Sequence, residues 1–159
     1  MKSLLLILLF SFTAITEAAT LVGHVVGVTD GDTITILDAT KTQYKIRLAG
    51  IDAPEKKQAF GNISKKSLSD LVFDKVVSIQ YNKEDRYGRI VGKVLIDGVD
   101  ANLEQVKLGM AWWYKKYQNE QSQQDRLDYL HAQEYAENER LGLWVENAPI
   151  APWDFRKSR

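Results

Sequence analysis

Apolar and polar side chains alternate from Thr20 to Leu37, and this period of two constrains the fold more than any other feature of the chain. Successive side chains of a β-strand point to opposite faces, so alternation of this length predicts strands with one buried face. An Asp30-Gly31 dipeptide interrupts the run, and Asp-Gly between two alternating stretches is typical of a hairpin turn. The segment therefore predicts two antiparallel strands joined by a tight turn.

Three further stretches have the pattern of strands, and three have the apolar spacing of helices. The strands are predicted at residues 44–51, 75–81 and 89–96, and the helices at residues 59–73, 102–108 and 121–140. Five strands with a helix between the third and the fourth favour a small closed barrel. We therefore predict an α+β, mainly β fold: a five-stranded oligonucleotide/oligosaccharide-binding (OB) fold, a Greek-key barrel, with about three helices.

The first 18 residues have a different character from the rest. Lys2 precedes an apolar run at residues 4–12, and Thr16-Glu17-Ala18 follows with a small residue at each end. This order is typical of a secretory signal peptide cleaved after Ala18. An uncleaved membrane anchor is the alternative, but the run is shorter than the roughly 20 residues that span a bilayer. We expect residues 1–18 to be a signal peptide, residues 19–159 to form a single domain, and the protein to be exported, periplasmic or secreted, with no membrane attachment after cleavage.

Charge and cysteine content exclude several functional classes. The chain has 21 basic and 21 acidic side chains, so it has no overall basic surface. Any binding of nucleic acid must therefore come from a local cluster of basic residues. It has no cysteine, which excludes disulfide staples, thiolate catalysis and cysteine zinc sites. Nothing in the sequence implies a stable protein partner, and we expect a monomer.

Two aspartates at predicted strand ends have the chemistry of metal ligands. Asp32 follows the hairpin turn and Asp52 follows the third strand. If the two carboxylates face each other, they can hold Ca²⁺, which takes six to eight oxygen ligands, and water or a substrate phosphate can complete the shell. Taken alone, Asp30 and Asp32 are better explained as ordinary turn residues.

Two arginines and a glutamate could act on a phosphate beside such a metal. Arg47 and Arg89 lie on predicted strands, and a guanidinium donates two parallel hydrogen bonds to a phosphate. Glu55 follows Ala53-Pro54 and could orient or deprotonate a water. Each of the three, taken alone, could be an ordinary surface residue. The run of aromatic and lysine residues at 112–117 could stack bases, or it could equally supply core aromatics beside solvated lysines.

Together these stretches resemble the staphylococcal nuclease family. The resemblance rests on Asp-Gly-Asp-Thr at 30–33, Arg-Leu-x-Gly-Ile-Asp-Ala-Pro-Glu at 47–55, Tyr-Gly-Arg at 87–89, and shorter matches at 108–111, 142–144 and 152–156. It implies a calcium-dependent endonuclease that acts on DNA and RNA with little sequence specificity and leaves 3′-phosphate ends.

The resemblance also implies a role for individual residues. Asp32, Asp52 and the carbonyl of Ala53 are expected to bind Ca²⁺, Arg47, Glu55 and Arg89 to be catalytic, and Arg86, Tyr87 and Tyr117 to bind the substrate. The chain departs from the best-known family member in a shorter segment after Glu55 and in Lys115, which stands where that member has a tyrosine. The alternative function is a non-catalytic nucleic-acid-binding module, which would have no need to keep Arg47, Glu55 and Arg89 together.

Overall fold

The structure, a computed structural model, describes residues 19–158 as eight strands, four α-helices and two 3-10 helices. The strands are β1 (Ala19–Asp30), β2 (Thr33–Leu37), β3 (Gln43–Leu48), β4 (Ile51–Asp52), β5 (Val76–Glu84), β6 (Ile90–Ile96), β7 (Val99–Asp100) and β8 (Trp112–Trp113). The α-helices are α1 (Gly61–Val72), α2 (Ala101–Lys107), α3 (Gln123–Asn138) and α4 (Pro152–Lys157), and the 3-10 helices span Lys115–Glu120 and Gly142–Val145. The predicted signal peptide lies outside the described residues.

Five of the strands form a closed barrel, which confirms the predicted fold. Strand β1 is long enough to pair with β5 through its first half and with β2 through its second half. Strands β3 and β6 then pair in parallel, with Ile46 opposite Ile90 and Leu48 opposite Gly92, and this pairing closes the sheet. Closure leaves no long unpaired edge among these five strands.

The alternating apolar residues fill the barrel. Buried side chains from five strands form its core: Val25, Ile34, Ile36, Ile46, Leu48, Ile79 and Val94. Leu68 and Val72 of α1 pack against this core from outside the sheet. Full burial of each such side chain contributes roughly 1.5–3 kcal/mol, so the period-two pattern is the main source of the barrel's stability.

The three predicted helices correspond to α1, α2 and α3, and α4 is an addition. Helix α1 begins two residues later than predicted because Phe60 has a positive φ of 65° and ends the loop that precedes the helix. Helix α4 has only six residues and begins at Pro152, so it carries no apolar period that the sequence could reveal. No helix within residues 19–158 is long and apolar enough to cross a membrane.

Two glycines let the chain approach itself closely before α4. Gly109 and Gly142 have φ values of 67° and 52°, a region that favours glycine. The Leu143 N–H donates to the Gly109 carbonyl at 2.9 Å, and a Cβ on either glycine would collide with the other segment's backbone. This crossing joins the segment that follows α2 to the segment that follows α3.

Candidate active site

A cavity of about 780 Å³ gathers every site residue that the sequence predicts. The residues come from the β1–β2 turn, the end of β3, β4 and the loop after it, the β5–β6 turn, and the 3-10 helix at Lys115–Glu120. The lining includes Asp32, Arg47, Asp52, Ala53, Glu55, Arg86, Tyr87, Arg89 and Tyr117. Residues that are far apart in the chain therefore face one volume large enough for a nucleotide-sized ligand.

Two buried aspartates form the floor of the cavity. Asp32 lies in the β1–β2 turn, where its carboxylate accepts hydrogen bonds from the Ala53 N–H at 2.6 Å and from the Thr33 hydroxyl at 3.1 Å. Asp52 ends β4 and is 1% exposed, and its backbone is held by the pairing of β4 with β8. Strand pairing therefore fixes Asp52, and hydrogen bonds within and beyond its tight turn fix the carboxylate of Asp32.

The guanidinium of Arg47 joins the two aspartates. Its Nη2 lies 3.1 Å from an oxygen of Asp32 and 3.0 Å from an oxygen of Asp52, and its Nη1 donates to the Leu48 carbonyl at 3.0 Å. Since Arg47 is on β3 and its side chain is only 15% exposed, it is rigidly placed. It neutralises part of the negative charge that burial of two carboxylates creates.

Two buried amide side chains on α2 hold the turns that carry the aspartates. Gln105 donates to the Gly31 carbonyl at 2.9 Å, next to Asp32. Asn102, three residues earlier, donates to the Ala49 carbonyl at 3.0 Å and accepts from the Val94 N–H at 3.1 Å. Both side chains are fully buried. Sequence reasoning missed them because polar residues in a short helix have no signal that distinguishes a buried amide from a solvated one.

Glu55 lies in the loop between β4 and α1, at the rim of the cavity. Its N–H donates to the Gln58 side chain at 3.1 Å, and its side chain is 35% exposed. Gly61, the first residue of α1, touches the Glu55 backbone so closely that a Cβ there would collide with the Glu55 carbonyl. The backbone of the short loop is therefore packed against the helix that follows it. The carboxylate of Glu55 nevertheless remains partly exposed to solvent.

Arg89 is held by an acidic neighbour in the β5–β6 turn. Asp85 accepts from Arg89 Nε at 2.8 Å and Nη2 at 2.7 Å, and it also accepts from the backbone N–H groups of Tyr87 and Arg89. Burial alone would raise the pKa of Asp85, but these hydrogen bonds outweigh it and the pKa lies below its ordinary value. The guanidinium groups of Arg86 and Arg89 lie 4.9 and 5.5 Å from the Tyr87 ring centre.

The aromatic run divides between the core and the cavity. Trp113 is 5% exposed and belongs to the core, whereas Tyr114 and Tyr117 line the cavity with their ring centres 4.9 Å apart and nearly perpendicular. Lys116 also lines the cavity. Trp113 is therefore a core aromatic, as one of the two interpretations has it, whereas base stacking by the tyrosines stays a prediction.

Asp30 and Arg156 are among the charged residues of the cavity to which the sequence analysis gave no role. Asp30, read as a turn residue, lies beside Asp32, and burial together with the Asp32 charge raises its pKa to about 7. Arg156 of α4 contacts both Asp52 and Glu55. Its motif at 152–156 was visible in the sequence, but the motif alone does not show where the side chain lies.

The donor set of the cavity fits a calcium ion. Asp32 and Asp52 offer carboxylate oxygens, and burial raises the pKa of Asp52 in opposition to its hydrogen bonds from Arg156. Burial is the largest cause of the raised pKa values of Asp30 and Asp52, and the charge of Asp32 adds to it. A bound cation would stabilise the charged form of these carboxylates. Within residues 19–158, no group of three or more acidic, histidine or cysteine side chains is arranged to hold a metal. The protein would therefore supply two carboxylates, and backbone, water or substrate the remaining oxygens.

Comparisons with known proteins identify a family model and several relatives that are similar to this chain. Residues 45–146 match the family model described as "Staphylococcal nuclease homologue". An "Uncharacterized endonuclease" of Haemophilus influenzae is 47% identical over 134 residues, 84% of this chain and 72% of the relative. An Escherichia coli protein with the same description is 40% identical over 157 residues, 98% of each chain. A "Micrococcal nuclease" of Shigella flexneri is 37% identical over 145 residues, 86% of this chain and 80% of the relative.

Proposed function

The chain belongs to the staphylococcal nuclease family, and on that premise we propose that it is a calcium-dependent endonuclease. It hydrolyses phosphodiester bonds of DNA and RNA with little sequence specificity and leaves 3′-phosphate ends. Nuclease activity is supported by the family and by relatives described as endonucleases. The requirement for calcium and the position of the cut go beyond what the names of the relatives state, and they are part of what we propose.

One observation carries the proposal: three carboxylates and two arginines converge on a single cavity from four separate segments of the chain. Asp32 and Asp52 lie at its floor, Glu55 at its rim, and Arg47 and Arg89 on its walls. A metal-assisted hydrolysis needs this combination, because the phosphate must be held, its growing charge stabilised and a water oriented. The non-catalytic alternative does not require Arg47, Glu55 and Arg89 to meet in one cavity.

The arginines bind the phosphate and stabilise the transition state. A guanidinium has five N–H donors in two usable edges, and Asp85 occupies only one edge of Arg89. Arg47 contacts Asp32 and Asp52, so it holds a phosphate close to the two carboxylates. Donors that are fixed before the reaction need no reorganisation when charge develops on the phosphoryl oxygens.

Glu55 orients the attacking water and accepts its proton. The water oxygen forms the new bond to phosphorus, and the bond from phosphorus to the 5′ oxygen breaks. The departing oxygen takes a proton from solvent, so the products are a 3′ phosphate and a 5′ hydroxyl. A calcium ion held by Asp32, Asp52 and the Ala53 carbonyl would supply Lewis-acid polarisation of the phosphate. Arg86, Tyr87 and Tyr117 contact the flanking nucleotides, the arginine through phosphate and the tyrosines by stacking.

The proposal is tested by incubating residues 19–159 with plasmid DNA and with RNA, in calcium and then in a chelator. Cleavage in calcium, its loss in chelator and 3′-phosphate ends are expected. We expect Arg89→Ala to lower kcat by roughly 10²-fold, the usual cost of losing one transition-state donor, while Lys65→Ala on the exposed face of α1 retains full activity.

Each result has a counterpart that contradicts the proposal. Undiminished cleavage in chelator would reject the calcium requirement, and 5′-phosphate ends would reject the proposed cut. A folded protein that binds DNA without cleaving it would support the non-catalytic alternative.

We also propose that residues 1–18 direct export and are removed after Ala18, on the sequence pattern alone. Determination of the N-terminus of the exported protein tests this, because a chain that still begins at Met1 would contradict cleavage.

A further inference from the structure

The guanidinium of Arg156 bridges two carboxylates of the cavity. Its Nη2 lies 2.7 Å from Asp52 Oδ2, and its Nη1 lies 3.2 Å from Asp52 Oδ1 and 2.8 Å from Glu55 Oε1. These bonds raise the pKa of Arg156 above its ordinary value, with the hydrogen bond to Asp52 as the largest cause. One cation therefore connects a buried carboxylate with the carboxylate proposed to handle the water.

Three contacts hold α4 in the position from which Arg156 reaches the cavity. The Trp153 ring is stacked on Tyr114, with ring centres 4.9 Å apart and planes 6° apart. Trp153 also meets the edge of Trp112 at 5.5 Å. The side chain of Gln58, in the loop after Glu55, donates to the Ile150 carbonyl just before the helix. The helix is thus attached to the wall and to the loop that carry the site.

The protein already occupies both oxygens of Asp52. Oδ1 accepts from Arg47 and Arg156, and Oδ2 accepts from Arg156. A divalent cation that binds this carboxylate needs one of these positions, and it repels a guanidinium that stays in contact with the same oxygens. Arg47 is 15% exposed and also bonded to Asp32 and Leu48, whereas Arg156 is 43% exposed and lies on a six-residue helix. Arg156 is therefore the cation that can move.

We propose that Arg156 competes with the metal for Asp52: it holds Asp52 and Glu55 while the metal is absent, and it gives up Asp52 but keeps Glu55 when the metal binds. This inference rests on the proposed function, since it takes Asp52 as a metal ligand. Arg156 is then a positioning residue. It preserves the arrangement of the carboxylates in the metal-free protein, and in the metal-bound protein it orients Glu55 toward the water.

Calcium affinity, measured by titration calorimetry without nucleic acid, distinguishes competition from a merely structural contact. Arg156→Gln removes the competing charge, and we expect it to bind calcium about tenfold more tightly than the parent, because a unit charge a few ångströms from a divalent ion is removed. Arg156→Lys keeps a charge but cannot bridge two carboxylates, so its affinity should be intermediate. Lys157→Gln is the matched control, since Lys157 is on the same helix, pairs with Asp154 at 3.0 Å and has a side chain that is 75% exposed. Its affinity should stay within about twofold of the parent.

Thermal unfolding gives an independent measure of the same competition. In chelator, Arg156→Gln should unfold at a lower temperature than the parent because Asp52 loses a buried partner. In saturating calcium the difference should shrink or reverse, since the ion then balances Asp52. The Lys variant keeps the comparison possible if the Gln variant does not fold without calcium.

The outcomes separate this inference from the proposed function. Tighter calcium binding in the order parent, Arg156→Lys, Arg156→Gln supports the competition. Equal or weaker binding by both variants overturns the competition and leaves the nuclease proposal intact. A parent protein that binds no calcium rejects both the competition and the calcium requirement, whether or not it cleaves DNA.

Discussion

Charged side chains in the cavity form ion pairs, and the partner of each side chain determines its position and which of its donors or acceptors remain available. Asp85 is an example, because it lies outside the proposed catalytic set yet receives two bonds from the Arg89 side chain. Its other oxygen accepts from two backbone N–H groups of the same turn. Asp85 therefore fixes both the turn and the guanidinium that it presents.

We expect Asp85→Asn to lower kcat/KM by about tenfold. The amide can still accept from the backbone, but it loses the charge that orients Arg89, and small displacements of a positioned group reduce rate strongly. Steady-state cleavage of a short labelled DNA measures the effect. Asp97→Asn, in the exposed β6–β7 turn, is the control and should leave kcat/KM unchanged. Full activity of Asp85→Asn would show that Arg89 needs no acidic partner.

Asp100 makes stability depend on pH. It is the N-cap of α2, with its carboxylate bonded to the Leu103 N–H at 3.0 Å and the Tyr129 hydroxyl at 2.9 Å, and burial raises its pKa. The folded protein then binds more protons than the unfolded chain between the ordinary value near 3.8 and the raised value, so this group's contribution to stability falls as pH rises through that window.

Asp100→Asn should remove that pH dependence. Asparagine is an equally good N-cap, so the difference in unfolding free energy, variant minus parent, should increase with pH above about 4, because only the parent loses a proton from its folded state there. Urea unfolding of the metal-free proteins between pH 3.5 and 7 measures it. Asp38→Asn serves as a control, because hydrogen bonds led by the Thr40 hydroxyl lower the pKa of Asp38 and place its pH dependence below about 3.8. Its difference from the parent should therefore stay nearly constant between about pH 4 and 7. Parallel curves for parent and Asp100→Asn would contradict the prediction.

At the scale of elements, α2 is the support on which the two aspartates depend. Its buried amides, Asn102 and Gln105, bond to the turns before Asp52 and Asp32. Gln105 also donates to the Ser64 carbonyl at 3.1 Å and accepts from the Ser67 hydroxyl at 2.7 Å, so one side chain ties α1, α2 and the β1–β2 turn together.

Gln105→Leu should destabilise the fold by roughly 1–3 kcal/mol, because it leaves buried carbonyl groups without a donor. It should also weaken calcium binding, since the turn that carries Asp32 loses its support. Urea unfolding and calorimetry measure the two effects. Gln124→Leu makes the same change on the exposed face of α3 and should alter stability by less than about 0.5 kcal/mol. A fully stable Gln105→Leu would show that the bonds of the amide contribute nothing net.

These elements also show how far the sequence predicts the fold. Strands were predictable because burial of one face imposes a period of two. The residues around the cavity were predictable because their motifs, which stand at strand ends, resemble those of the staphylococcal nuclease family. Arg156 was not predictable in the same way. It meets Asp52 across a separation of 104 residues, from a helix too short to have a period. Likewise, the sequence alone does not distinguish Gln105 from a solvated residue, because its burial depends on contacts with α1 and the β1–β2 turn.

At the scale of the whole molecule, the balance of acidic and basic side chains determines how strongly the protein attracts a nucleic acid. The chain has a formal net charge of zero. The described residues that line the cavity repeat this balance, with six acidic and six basic side chains. Long-range attraction of a polyanion is therefore weak, and affinity must come from a few local contacts together with the charge of a bound cation.

Binding of DNA should accordingly depend strongly on calcium and weakly on salt. We expect a Glu55→Gln variant, used to suppress cleavage, to bind a short DNA at least tenfold more weakly in chelator than in calcium, because the neutral lining gains two positive charges from the ion. The slope of log affinity against log salt should be about −2 to −3, as for two or three neutralised phosphates. Fluorescence anisotropy measures both quantities, and a slope of −6 or steeper would show a wide basic surface instead.

The same balance predicts which acidic residue opposes DNA binding. Glu120 lines the cavity and pairs with Lys83 at 2.6 Å, and the Lys83 ammonium lies 5.4 Å from the Tyr117 ring centre. In the Glu55→Gln background, Glu120→Gln should release Lys83 for a phosphate, strengthening affinity about two- to fivefold and steepening the salt slope by about one. Glu134→Gln removes the same charge from the exposed face of α3 and should change neither quantity. Equal effects of the two substitutions would show that net charge, rather than the cavity, determines affinity.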